Sequence, residues 1–210
     1  MLMQADSLSR MKYSNLGAVA MVGTSYFLVV IVAMHFLSPD ISPVDRPTSE
    51  YATGPFGYLM TSGFVALGVA TWSLIVGLWR DLPYSGIHRI GLIALGVFGV
   101  GVLVAAIFPI DPEGAASTTA GTVHRFNGPI AFLGLTVGAN LTTGGFREAA
   151  RWRSVFRSAS VLALLLIPLF IAGGVTNALE VGAGIAQRIF IVTFTTWYLV
   201  VAMRLRHAPS

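Results

Sequence analysis

The 210-residue sequence contains no cysteine, so disulfides, thiolate nucleophiles and cysteine-bound metals are excluded whichever compartment its loops face. Charge is nearly as scarce: Asp, Glu, Lys and Arg make up 10% of the chain, against about a quarter in an average soluble domain. No Asp, Glu, Lys, Arg or His lies near the midpoint of any long apolar run. A charge there would cost roughly 2.5–3.5 kcal/mol and would ordinarily mark an ion or proton pathway, so the distribution weighs against proton-coupled transport. The histidines, His35, His88, His124 and His207, scatter over both ends of the apolar runs and into the tail, which disfavours a haem held by two of them. The sequence predicts no cofactor and no metal. A metal site normally needs three or more ligands, and only His124, Asp111 and one acid from a separate loop can be nominated.

What is present in quantity is hydrophobic side chain, 55% of the total. A helix needs roughly 20 apolar residues to cross a hydrocarbon core about 30 Å thick. Six runs meet that need, at about 16–37, 57–79, 88–108, 124–144, 156–178 and 182–203. The expected fold is therefore all-α: a polytopic membrane protein, one domain over residues 1–210, built as a bundle of six transmembrane helices. The first run is too long for the apolar part of a signal peptide, and Ser38-Pro39-Asp40 offers no small-x-small cleavage pattern, so an uncleaved first helix is expected. The sequence pI near 9.9 and net charge of +4 point to topology rather than to nucleic acid. Ten basic residues fall on one side of the predicted helices, and only Arg46, Arg125 and Arg188 fall on the other. Cytoplasmic loops collect Lys and Arg, so the sequence predicts a multi-pass bacterial inner (plasma) membrane protein with both termini in the cytoplasm. Arg10 and Lys12 would anchor a short polar arm over residues 1–15, and Arg147, Arg151, Arg153 and Arg157 would contact anionic membrane lipid.

Several tempting motifs carry little. Gly96, Gly99 and Gly101 superficially match a glycine-rich nucleotide loop but lack the strand before and the helix after. Asn140-Leu141-Thr142 is a glycosylation sequon inside an apolar run. Glycines such as Gly63, Gly68, Gly134 and Gly138 are expected to let helices approach closely, and His35 is expected to sit at the interface. The third run, 90–108, has no polar side chain, so it cannot line a polar path by itself, which argues against a facilitator-type transporter.

Function, if any is legible, lies in the predicted external loops. A cation near a helix N-terminus is disfavoured by the macrodipole, yet Arg125 and Arg188 both stand near predicted helix starts, and acids on the same face would compensate. The sequence therefore predicts an outward-opening polar cluster of Glu50, Asp111, His124, Arg125, Glu180, Gln187 and Arg188, with Glu113 as a further available acid. In helical spacing His124 shares a face with Asn127 and Gly128. Three readings stay open. The cluster is a structural network closing the outer end of the bundle, or a pocket for a lipid headgroup, small molecule or partner, or a hydrolytic site at the outer interface in which His124 and Asp111 handle protons or hold a metal.

Ser49-Glu50-Tyr51 before the second run, Phe108-Pro109-x-Asp111 followed by Gly121-x-x-His124, and Gly184-x-x-Gln187-Arg188 with a later Trp197 occur in that order. Over about residues 16–203 the chain resembles an uncharacterised family of bacterial six-helix membrane proteins, a domain of unknown function. The resemblance implies six helices and an external set of polar motifs, with no activity or cofactor attached. It also implies a glutamate before the final arginine, where this chain has Gln187, a side chain that cannot serve as an acid.

Overall fold

A computed structural model describes residues 2–112 and 114–207, with side chains from Asn15 onward. The Arg10 and Lys12 side chains and Glu113 lie outside the described residues. Six long helices follow one another: α1 (Leu2–Leu37), α2 (Gly57–Asp81), α3 (Gly86–Ile107), α4 (Thr119–Gly144), α5 (Arg153–Ala178) and α6 (Ala183–Arg206). Among the described residues no strand occurs. The expected polar arm is not a separate element, because α1 begins at Leu2 and runs unbroken into the apolar run.

Each helix packs on its neighbour in sequence, and α1 packs on α6, so the bundle closes into a ring. Five of the helices are long and apolar enough to cross a membrane, and α4 is the exception. Its place in the ring supplies what its composition does not. A Cβ on Gly134 would meet the Ala94 carbonyl oxygen at 2.8 Å, and one on Gly138 would meet the Leu95 nitrogen at 2.7 Å. At one end of the pair Asn127 Nδ2 donates to the Gly101 carbonyl at 2.8 Å, and at the other a Cβ on Gly145 would meet the His88 ring. Thus α4 lies antiparallel along nearly the whole of α3, and its 26 residues span about 39 Å at 1.5 Å per residue. The chain is an all-α, multi-pass membrane protein in which α4 completes the six crossings. Asn140, the sequon residue, uses its amide to join α4 to α5 through the Ala163 carbonyl at 2.7 Å.

The middle of the ring is filled by aromatic side chains. Phe98 meets Phe194 edge-on at 5.5 Å, and Phe194 meets Tyr198 at 5.7 Å. The Tyr198 hydroxyl, fully buried, finds Thr71 Oγ1 at 3.1 Å, which is what a buried phenol requires.

The two ends of the bundle differ. One end carries the connections 38–56, 108–118 and 179–182, and is called the loop end below. The other carries the short connections 82–85 and 145–152 and is rich in arginine. There Arg147, Arg153 and Arg157 are exposed, as an anchoring patch would require. Arg151 departs from that expectation: it turns inward to pair with Asp81 at 2.7 Å and to cap the last carbonyls of α6.

Candidate functional site at the loop end

The connection 38–56 is not wholly irregular. It contains a 3₁₀ turn, Thr48–Thr53, whose residues Thr48 to Tyr51 are buried. The turn is held against the start of α6, where a Cβ on Gly184 would strike the Arg46 carbonyl oxygen at 2.5 Å and the Pro43 carbonyl oxygen at 2.8 Å. Only glycine lets the two backbones pass so closely. Gln187 then fixes the register, its Oε1 accepting from the Thr48 N–H at 2.7 Å and from Thr48 Oγ1 at 3.1 Å.

Arg188, one residue on, is satisfied differently from the carboxylate pairing expected of it. Its Nε donates to His35 Nε2 at 3.1 Å, Nη1 to the carbonyls of Arg46 at 2.8 Å and Gly184 at 3.0 Å, and Nη2 to the Tyr51 hydroxyl at 3.0 Å. His35 Nδ1 lies 2.7 Å from the Ile31 carbonyl oxygen. A carbonyl can only accept, so Nδ1 carries the hydrogen and Nε2 is free to accept from Arg188. His35 is therefore a bonded partner of the site and not an idle interfacial residue. Glu50 belongs to Arg46, which grips it with two nitrogens. The macrodipole difficulty is also smaller than the sequence implies, since both Arg125 and Arg188 fall in the second turn of their helices and the effect fades beyond the first.

Asp111 forms a second, separate arrangement. Its carboxylate accepts from Thr118 Oγ1 at 2.6 Å and the Thr118 N–H at 3.0 Å, while Thr118 Oγ1 accepts from the Gly121 N–H at 3.0 Å. Thr118 is thus the N-cap of α4, starting that helix five residues before the expected His124. A Cβ on Gly121 would overlap the Asp111 carboxylate. The Thr118 hydroxyl bond, then its backbone N–H, hold the Asp111 carboxyl below the ordinary range; desolvation opposes them, and the Arg125 charge adds a smaller lowering. A carboxyl lowered by folding stabilises the fold fully above its unfolded value and loses that contribution as pH falls through the folded value. Amide exchange at Thr118 and Gly121, corrected for the intrinsic rate, is therefore expected to stay slow until the solution is more acidic than the ordinary aspartate range. In Thr118→Val the Gly121 amide loses its acceptor at every pH, while at the residue 118 amide, which keeps its bond to Asp111, the onset of fast exchange moves to higher pH; an unchanged onset there would show that the Thr118 hydroxyl does not hold the carboxylate.

The third arrangement is a cavity of about 80 Å³ inside the loop end of the ring. Its apolar wall includes Phe27, Phe64, Phe98 and Phe194, and its polar lining is Thr48, Ser49, His124, Asn127 and Gln187. His124 is buried, with Nδ1 at 2.8 Å from the Phe108 carbonyl oxygen, so Nδ1 donates and Nε2 is left over. Among the described residues, Nε2 of His124, Oγ of Ser49, Nε2 of Gln187 and Oδ1 of Asn127 have no hydrogen-bond partner. None of these atoms is sealed away from water as Thr24 Oγ1 and Thr142 Oγ1 are. The cavity is large enough for ordered water, which needs about 10–15 Å³ by this measure and two or more polar partners.

The structure therefore divides the expected cluster. His124 and Gln187 line one cavity, and Glu50 and Arg188 secure the turn beside it. Asp111 and Arg125 stay on the rim, where Arg125 is exposed and reaches Ser117 at 3.4 Å. Glu180 joins nothing: it is exposed in the α5–α6 turn at φ 54°, and among the described residues its side chain has no partner. No group of three His, Asp or Glu side chains placed to hold a metal occurs among the described residues, and Asp111 is engaged with Thr118 rather than with His124. Ser49, Asn127, Tyr51 and His35 were missed as site residues. Ser49 and Tyr51 flank Glu50 in the sequence motif, and Asn127 shares the His124 face, so three of the four had a signal.

Residues 21–204 match the model of a family described as Protein of unknown function (DUF998). The chain belongs to that family. No curated protein and no solved structure matches it. The matched span runs from within α1 to the last turn of α6, so it contains all three loop-end arrangements, the cavity included.

Proposed function

We propose that the loop end faces the outside of a bacterial inner membrane, and that the cavity binds a small hydrogen-bonding group without a formal charge. The observation that carries the reading is the lining of the cavity: several unspent donors and acceptors around an aromatic wall. Such a site, apolar with a few convergent polar groups, has the usual make-up of a ligand pocket. Its preference for an uncharged group follows from what faces it. Apart from His124 the lining residues carry no titratable side chain, while Arg188, Arg46 and Glu50 beside it are already bonded. Burying an ion without a partner is far more costly than burying an amide or hydroxyl that finds one. The orientation rests on the excess of basic residues at the other end, and reporter fusions in the 111–118 connection and at the C-terminus test it.

Gly128 gives a clean test of the cavity itself. It lines the cavity, and a Cβ placed on it meets no other part of the bundle within 4 Å, so Gly128→Leu fills the space without striking another helix. Pro129 follows inside α4, and its ring crowds a side chain on the residue before it, which offsets leucine's roughly 0.8–1 kcal/mol advantage over glycine as a helix former; thermal unfolding near the wild-type midpoint establishes that the variant folds. With ¹⁵N-histidine labelling and glycerol as the probe, the His124 Nε2 resonance is expected to shift in the wild type and to stay still in Gly128→Leu. Identical responses in the two proteins would remove the cavity as the binding site.

A further inference from the structure

A second hollow lies on the membrane-facing side of α3, an open trough of about 660 Å³ walled by Trp72 and Trp79 of α2 and by Ile130 of α4. Its floor is α3 from Leu92 to Gly101, where Gly96 and Gly101 present no side chains. At its loop-end limit the trough and the inner cavity share two residues, Gly101 and Asn127. Since Gly101 has no side chain, the Asn127 carboxamide, tied by Nδ2 to the Gly101 carbonyl at 2.8 Å, is the one side chain common to both linings.

We infer that trough and cavity are one site for a single amphiphile: a neutral lipid whose hydroxyl-bearing head lies in the cavity and whose acyl chain lies in the trough, entering sideways past Asn127. The inference rests on the proposed cavity reading and adds to it the class of ligand and the route. The trough is apolar and opens where only hydrocarbon is available. The cavity it joins offers hydrogen bonds but no free cation for a phosphate. At the opposite end of the trough, Arg89 stacks on the Trp79 ring, 3.8 Å from its centroid, and donates to the Trp79 carbonyl at 2.8 Å. That engagement favours the head group at the Asn127 end. Asn127 Oδ1, without a partner among the described residues, is placed to accept from a hydroxyl passing between the two spaces.

The full-length protein carries its own reporters. Trp72 and Trp79 flank the trough and are exposed, whereas Trp152 and Trp197 are fully buried and give an unquenched background. In phosphatidylcholine nanodiscs, diacylglycerol with brominated chains is expected to quench the exposed pair at low mole fraction. Unbrominated diacylglycerol is expected to reverse the quenching, and phosphatidylglycerol is not. Gly96→Leu fills the trough, because a Cβ there meets only Trp72 Cη2, at 3.6 Å. Val100→Phe, at an exposed position on the same floor, fills it independently should the first variant disturb α3. Each is expected to raise the half-quenching mole fraction about tenfold or more while leaving the glycerol response of His124 intact. Gly128→Leu is expected to abolish both. Brominated diacylglycerol quenching no better than brominated phosphatidylcholine, with the glycerol response present, overturns the lipid inference and spares the cavity. Loss of both responses in the wild type overturns both, and saturable quenching that ignores Gly96→Leu and Val100→Phe removes the trough.

Discussion

Arg188→Ala is expected to lower the unfolding free energy by about 3 kcal/mol and to release the 3₁₀ turn Thr48–Thr53 from α6, the largest effect of any substitution at the loop end. The figure follows from the acceptors abandoned. His35 Nε2, the Arg46 carbonyl and the Tyr51 hydroxyl all receive hydrogens from this guanidinium. Hydrogen bonds to a charged donor are worth roughly 1.5–3 kcal/mol each, and a part-buried site recovers some of that from water. Arg188→Lys keeps the charge but not the planar fork that reaches all of these acceptors together, so it is expected to restore less than half of the loss. Thermal unfolding in detergent measures the first claim. The absence of cysteine makes the second easy to read: Ser49→Cys is the sole thiol in its variant, and at a position 7% exposed it is expected to react slowly with a maleimide. Adding Arg188→Ala should make labelling fast. A stable protein with Ser49→Cys still protected would mean that Gln187 and Gly184 hold the turn unaided.

The helices were legible because each is a run of apolar residues long enough to cross a bilayer, and that signal needs no tertiary context. The start of α4 was not, because it is set by Thr118, whose cap depends on a carboxylate seven residues earlier in a loop. The site was legible in part, and the failures share a cause. Charge and face predicted that Arg188 needed compensation, but not that it would come from carbonyls, a histidine and a tyrosine rather than from Glu180. The choice is made by Gly184, which lets residues 43–46 lie against α6 and so brings the Arg46 carbonyl to the guanidinium before any acid can reach it. His35 looked interfacial because its depth in α1 is visible in the sequence and its partner 153 positions away is not. His124 and Gln187 line one cavity, for a reason only partly visible in the sequence. Both face the interior of the ring, where helical spacing already allied His124 with Asn127 and Gly128, yet the cavity they share exists only because the 3₁₀ turn supplies the remaining wall.

At the opposite end, Asp81→Ala is expected to cost about 3–5 kcal/mol, the range for stripping one partner from a buried ion pair. The two side chains are only 14% and 15% exposed, so water cannot replace what is lost. Asp81 does more than pair with Arg151: its other oxygen accepts from Trp152 Nε1 at 2.6 Å, and Trp152 in turn stacks on Phe146 at 4.4 Å. Arg151 reaches on to the carbonyls of Arg204 at 2.9 Å and Leu205 at 3.1 Å, which have no partner within the helix because they close its last turn. One carboxylate thus joins the end of α2 to the connection that leads into α5 and, through Arg151, to the end of α6, three segments that meet only when the ring is closed. Arg151→Ala is expected to cost a similar amount, and the double variant clearly less than the sum, since once either partner is gone the other has only an uncompensated charge to lose. Asp81→Asn separates the two duties. It retains an acceptor for either Arg151 or Trp152 but not the charge, so it should fall between wild type and Asp81→Ala in thermal unfolding. Additive losses in the double-mutant cycle would show that the pair is a neighbouring contact and that the ring is closed at this end by aromatic packing alone.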